Sequence, residues 1–303
     1  MDIRGVAIRD TFSEGFSMIA SRILVTAADE QWAMTAAREA VGFATSVIGC
    51  GCEADVEEVV TDTPDGRPGV AILFFATDLK TLEEQMLRRI GNCVLTCPTT
   101  ACFNGFASSQ KLQVGKKLRY FGDGWQSSKM IGERRYWRIP VMEGEFLVEE
   151  SYGFTLEAAT GNFLILAAGP QEALRAATRA VSAIREIRGV ILPFPGGVVR
   201  SGSKVGSRYS FLRASTMEQY CPTLQTVVES ALPAGVYSVL EIVICGLDGD
   251  LVIKAMQAGI LAACVQGVIE ISAGNYGGDL GDRVFFLRDL MNGFSGQEAS
   301  HER

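Results

Sequence analysis

Four polar, glycine-rich segments and one isolated glutamate are the places where this sequence could do chemistry. The segments are Thr96-Cys97-Pro98-Thr99-Thr100, Pro193-Phe194-Pro195-Gly196-Gly197, Ser201-Gly202-Ser203-Lys204-Val205-Gly206-Ser207 and Ser272-Ala273-Gly274-Asn275-Tyr276-Gly277-Gly278. Glycine lets backbone N–H groups come close to a ligand, while Ser, Thr, Asn and Lys add donors for carboxylate, phosphate or carbonyl oxygens. Within these segments Thr99, Thr100, Gly196, Gly197, Ser203, Lys204, Ser207, Asn275 and Tyr276 are the candidate substrate-binding residues. Each segment alone is equally what ordinary turns use. Their recurrence at equivalent strand ends in both halves brings the two readings level, because loops at one sheet edge converge.

The glutamate is Glu241, which opens the apolar run Glu241-Ile242-Val243-Ile244-Cys245. A carboxylate is unfavourable there unless it is paired, protonated or at a strand end. Buried, it would hold a proton near neutrality and could act as a general acid and base. Pattern alone favours the plainer alternative, a solvated glutamate at a strand start. Asp10, Glu14, Glu143 and Glu145 are further carboxylates that an exposed face explains equally well.

Several other chemistries are excluded. The single histidine, His301, stands third from the end, so a His-assisted nucleophile, a His-ligated zinc or a His proton shuttle is not expected. No P-loop, G-x-S-x-G elbow or G-x-G-x-x-G fingerprint occurs. The eight cysteines include no C-x-x-C; Cys50-x-Cys52 and the Cys93, Cys97, Cys102 series lack metal spacing and companion ligands, so no metal is expected. A net charge of −7 argues against nucleic acid. The longest uncharged run, between Arg89 and Lys111, holds Pro98, Asn92 and Asn104 and is no membrane span. The opening MDIRGVAIRD places charges where a secretion signal needs its apolar core, so a cytoplasmic protein is expected.

The elements that would position these groups repeat. Four segments, beginning at Ile23, Ile72, Phe163 and Glu241, share one order: apolar run, turn, amphipathic helix, second apolar run. In the second, Asp78 suits an N-cap, Leu79, Leu82, Met86 and Ile90 form a stripe, and Gly91 suits a terminator. In the third, Pro170 suits the first helical position and Leu174, Ala177, Val181 and Ile184 form the stripe; Gly259 interrupts the fourth helix. Two pairs of such units make an α/β (α+β) protein of two ferredoxin-like βαββαβ lobes, residues 1–150 and 151–303, with an antiparallel hairpin insertion over 111–153 in the first. At about 150 residues per domain the 303 residues fit two lobes; one continuous doubly wound sheet is the alternative.

The strings GVAIRDTFSEGF, TPDGRPG, QMLRRIGNCVLTCPTTACF, FFATD, ILPFPGGVVRSGSKVGS and VIEISAGNYGGDLG, in this order from residue 3 to about residue 290, together resemble the formylmethanofuran:tetrahydromethanopterin formyltransferases. The resemblance implies two ferredoxin-like lobes, distal then proximal, and a homotetramer. It implies transfer of a formyl group between the amine of methanofuran and N5 of tetrahydromethanopterin, both acting as coenzyme substrates, with no prosthetic group or metal. It makes Glu241 the leading catalytic candidate, through the family's buried strand glutamate. A methylotrophic bacterial source would imply the oxidative direction and a complex with hydrolase subunits. The methanogenic direction and a non-catalytic scaffold subunit are the alternatives.

Overall fold

A computed structural model describes residues 1–292, so His301 lies outside the described residues. The chain divides into two compact units, Met18–Ala158 and a second made of Met1–Ser17 with the chain from Ala159 onward. The first 17 residues thus differ from the expected cut at residue 150, and strand pairing is the reason. Val6–Ile8 pairs in parallel with Val268–Ser272, and Phe12–Gly15 pairs antiparallel with Arg283–Phe286. Among the described residues no helix is long and apolar enough to cross a membrane.

The unit 18–158 is built on two of the repeats. Its strands lie in the order Ala101–Asn104, Ser17–Thr26, Gly69–Ala76, Glu53–Val60, each antiparallel to its neighbour. In chain order that is 4-1-3-2, the ferredoxin-like βαββαβ order. Helices Glu30–Val41 and Leu79–Arg89 complete it, and Asp29 and Asp78 cap them by accepting from Trp32 N and Thr81 N. Ala33, Ala37, Leu82 and Met86 bury against Val70, Ile72 and Phe74. Leu79, expected in the stripe, is exposed. The hairpins Ser127–Ile131, Arg134–Val141 and Gly144–Glu149 follow as expected and join this sheet through Leu147 and Val148 beside Ala101 and Cys102.

Three local expectations differ here. The chain does not stop helically at Gly91 but runs through a π-turn at Ile90–Val94, and the strand begins only at Ala101. A Cβ on Gly91 would lie 3.1 Å from Leu118 Cδ1, so this glycine serves a close helix contact. The apolar run VIGC is a short helix, Val47–Cys50, with the strand starting at Glu53. KKLRYFG is helical over Val114–Leu118 and Arg119–Gly122 instead of a hairpin arm. In all three a short segment next to glycine carries too little periodicity to separate one helical turn from a strand.

The other unit repeats the order. Val268–Ser272, Tyr152–Ala167, Ser238–Gly246 and Val190–Ile191 are antiparallel neighbours, with helices Pro170–Arg185 and Gly249–Ala263 between them in sequence. Pro170 occupies the first helical turn as expected, while Leu174 of the anticipated stripe is exposed. Ala177, Val181, Ile184, Val252, Met256 and Ile260 bury against Phe163, Ile165, Ile242 and Ile244. The helix does not break at Gly259. A Cβ there would come within 2.7 Å of Ile184 Cδ1 and 2.9 Å of Phe163 Cζ, so the residue lets helix meet helix and sheet at close range. Gly259→Ala should therefore destabilise the fold by about 1–3 kcal/mol despite its better helix propensity. Denaturant unfolding measures this, and a stabilised variant would contradict the close packing.

Candidate active site

The sheet of this second unit has a face turned away from its helices, and Glu241 sits there. Side chains alternate along the Tyr152–Ala167 strand. Phe163 and Ile165 enter the helix-side core with Ile242, Ile244 and Ile271, whereas Leu164 and Leu166 pack with Met217, Tyr220 and Val236. Strand pairing sets Glu241 and Ser272 opposite Leu164 on its two sides. A further bridge sets Val199 opposite Glu241. Directly paired residues project from one face, so Val199, Glu241, Leu164 and Ser272 form a row. The irregular segment between Ile191 and Ser238 roofs it.

Glu241 is 1% exposed. It stands inside the Ser238–Gly246 strand, not at a solvated start. Its N–H donates to the Val199 carbonyl at 2.9 Å and its carbonyl accepts from Val199 N at 2.8 Å, so the backbone is satisfied. Among the described residues the carboxyl has one partner: Ser203 Oγ donates to Oε1 at 2.6 Å. Oε2 has none among the described residues. Burial disfavours the charged form and outweighs the Ser203 hydrogen bond, which favours it, so the pKa rises to about 7. Such a group gives and takes protons at neutral pH.

The structure gathers several of the expected residues around this acid. Tyr276 donates its hydroxyl to the Ser203 carbonyl at 2.7 Å. Lys204, Asn275 and Tyr276 line a cleft of about 390 Å³ with Arg208, Met217 and Glu218. Lys204 Nζ is held by both Glu218 oxygens, at 2.7 and 2.8 Å. Glu241 itself lines a smaller cavity of about 40 Å³ with Arg200, Ser201, Thr216, Tyr220 and Cys221. Glu14, 1% exposed, shapes the loop after Ser272: its carboxylate accepts from Tyr276 N and, at 3.2 Å, from Leu280 N. Asn275 Nδ2 donates to Thr11 Oγ1 at 2.9 Å, so that side chain anchors the loop. Burial, and secondarily the Glu241 charge, push the Tyr276 phenol up.

Other expected residues do different work. Gly197 has φ +82°, and a Cβ there would meet Val181 Cγ2 at 2.9 Å on the helix side; Gly196 is exposed. Ser207 Oγ accepts from Tyr209 N at 3.1 Å, a local turn. Thr99 and Thr100 belong to the unit 18–158. Thr99 has φ +64°, rare for a β-branched residue. It is held by Glu143 Oε2, which accepts from its N–H at 2.9 Å, by Ala28 N donating to its Oγ1 at 3.0 Å, and by Arg67 donating to its carbonyl. Thr100 Oγ1 donates to the Val94 carbonyl at 2.6 Å. A cavity of about 230 Å³ lies beside them, lined also by Arg67, Cys97 and Glu145. Asp10 and Glu145 are paired with Arg288 and Arg138 at the surface.

Two residues on the sheet face went unmarked by sequence. Tyr220 is buried, accepts from Arg9 Nη1 at 3.3 Å and lies 3.2 Å from Ser272 Oγ. Asn162 clasps Gly274 through both its amide atoms, at 2.7 and 3.3 Å. Neither sits in a periodic pattern that would single it out.

Comparison with known proteins bears on the whole length. The family model for formylmethanofuran-tetrahydromethanopterin formyltransferase matches residues 1–141, and that for the proximal lobe of the same formyltransferase matches 144–290. Curated proteins named formylmethanofuran–tetrahydromethanopterin formyltransferase are similar throughout. That of Methylococcus capsulatus is 53% identical over 96% of this chain and all of its own length, and that of Methylobacillus flagellatus is 51% identical with the same coverage. Among solved structures, the formyltransferase/hydrolase complex of Methylorubrum extorquens with methylofuran matches with a TM-score of 0.92 at 47% identity, covering 96% of this chain and 98% of its own. Agreement of this extent in sequence and fold places the chain in the formylmethanofuran–tetrahydromethanopterin formyltransferase family.

Proposed function

We propose that this protein transfers a formyl group between N5 of tetrahydromethanopterin and the amine of methanofuran, with Glu241 as its catalytic acid and base. Both coenzymes act as substrates, and no prosthetic group is needed. One observation carries the assignment of Glu241: a buried strand carboxyl near neutral pKa with one oxygen unbonded, in a chain of this family.

The chemistry follows from the functional groups. The attacking nitrogen adds to the formamide carbon, forming one C–N bond and a tetrahedral intermediate whose oxyanion needs preorganised donors. Glu241 Oε2 gives its proton to the leaving nitrogen as the old C–N bond breaks. It then takes back the proton that the attacking nitrogen sheds, so the carboxyl ends as it began. Holding two large coenzymes in line supplies much of the remaining acceleration. The cleft bearing Lys204 and Asn275 is a proposed binding surface of its own unit; within the unit 18–158, Thr99 and Thr100 are proposed substrate contacts.

The hydrolase partner of the Methylorubrum relative supports a direction. A hydrolase that consumes the formyl product would draw transfer from formyl-tetrahydromethanopterin onto the furan coenzyme, the oxidative sense. We assign this chain to that direction, to a cytoplasmic homotetramer, and to assembly with hydrolase subunits.

Mixing the purified protein with formyl-tetrahydromethanopterin and methanofuran should consume the formyl donor. Absence of turnover, alongside an active relative, would instead favour a scaffold role. Glu241→Gln should lower the rate by roughly 10²–10⁴-fold with the fold intact; full activity would remove Glu241 from the mechanism. Ending the chain after Asn292 removes His301 and should leave formyl transfer in place, since the family match stops at residue 290; loss of transfer in a folded truncate would contradict this. The same carboxyl also sets a pH dependence of stability. Its pKa rises from 4.5 to about 7 on folding, so its favourable contribution is full below pH 4.5 and is lost as pH rises through 7. Glu241→Gln should therefore gain stability over the wild type between pH 5 and 8, on the order of 3 kcal/mol. Guanidinium unfolding at both pH values measures it, and a constant difference would refute the burial argument.

A further inference from the structure

We propose that Ser203 and Tyr276 are positioning residues for Glu241: Tyr276 fixes the backbone of Ser203, and Ser203 fixes the carboxyl so that Oε2 alone carries the exchangeable proton. The inference rests on the formyl-transfer reading above, and it reassigns two residues that the sequence marks as ligand contacts.

The geometry is a chain of single contacts. A glutamate side chain has three rotatable bonds, and an ionisable carboxyl on an apolar face has few partners to settle them. Here Ser203 Oγ donates to Oε1 at 2.6 Å, the carboxyl's one hydrogen bond among the described residues. A hydroxyl has one proton to give. With that proton on Oε1, this oxygen is the acceptor in both protonation states of Glu241, and the acid proton resides on Oε2. Ser203 lies in an irregular stretch beside Gly202, whose φ of +77° no ordinary side chain adopts readily. Its carbonyl is held by the Tyr276 hydroxyl, which donates to it at 2.7 Å, and the next two residues pair with Ala214–Ser215. Tyr276 is in turn tied at its N–H to the buried Glu14 carboxylate. The support therefore runs from Glu14 through Tyr276 and Ser203 to Glu241, across four separate chain segments.

Few charges compete with this control. From the paired backbone Leu164 and Val199 bring no charge, and the roofing segment brings Arg200, Tyr220 and Cys221 into the same small cavity. Tyr276 faces Glu241 from the loop after Ser272. The nearby Lys204 and Glu218 neutralise one another, and Glu270, further along the same sheet face, is bound to Arg9 at 2.5 Å.

The test is a titration that does not depend on turnover. Carbon-13 NMR of glutamate-labelled protein follows the Glu241 carboxyl, assigned by its absence in Glu241→Gln. Ser203→Ala removes a donor to the ionised form and should raise the midpoint from about 7 by roughly one pH unit. Ser203→Thr, which keeps the hydroxyl, should return it, and Tyr276→Phe should raise it by less than Ser203→Ala. The pH profile of formyl transfer should move with the midpoint. An unchanged midpoint in Ser203→Ala, or a rate loss equal at every pH, would overturn the proposal. Should Ser203→Ala not fold, an unchanged midpoint in Tyr276→Phe would do the same. Lack of turnover by the wild type would sink the formyl-transfer reading, while the NMR midpoints would still decide the positioning.

Discussion

In the unit that holds Glu241, side-chain alternation along the Tyr152–Ala167 strand separates stability from chemistry. Phe163 and Ile165 face the helices, and Leu164 between them faces the roof. Because the period is two, a one-residue slip against Ser238–Gly246 would send Glu241 into the helix-side core and Ile242 out of it. The register is pinned by what lies on the helix side: Ile242 and Ile244 among alanine-rich helix faces, with Gly259 permitting the close approach. The packed layer thus aims the acid, although it touches none of its atoms.

The opposite layer is built differently. Both βαββαβ units place their helices on one side of the sheet, leaving the other side to be finished by whatever follows. Here the segment between Ile191 and Ser238 finishes it with little regular structure, contributing Met217 and Tyr220 as apolar cover and Ser203 as a polar contact. This combination explains why Glu241 is neither solvated nor ion-paired. It is dry enough to hold its proton and has too few partners to be locked into one charge state.

Much of this was legible in sequence, and the failures have physical causes. Helix caps such as Asp78, the proline at 170 and the four repeated units could be read because caps and periodic stripes are local. Glu241 stood out because a carboxylate in a five-residue apolar run is locally incongruous. Its partner could not be identified as such: Ser203 lies 38 residues away and looks like any serine between glycines. Gly197 and Gly259 show the converse error, since a glycine required by packing on Val181, or on Ile184 and Phe163, is indistinguishable in sequence from one that frees a loop or breaks a helix. The π-turn at Ile90–Val94 and the helix at Val114–Leu118 were misread because runs of about five residues carry too little periodicity to separate strand from helix.

The placement of the first 17 residues has a consequence for how the chain is made. The unit 18–158 is continuous in sequence, so it can complete its contacts while synthesis proceeds. Val6–Ile8 cannot, because its partner Val268–Ser272 leaves the ribosome roughly 250 residues later, tens of seconds at ordinary elongation rates. Throughout that interval an apolar strand with unpaired backbone groups is an invitation to pair with the wrong chain. Arg4 on one side and Arg9 and Asp10 on the other flank those three residues. Charges so placed act as gatekeepers for a nascent edge that must wait for nearly the whole protein before it finds its neighbour.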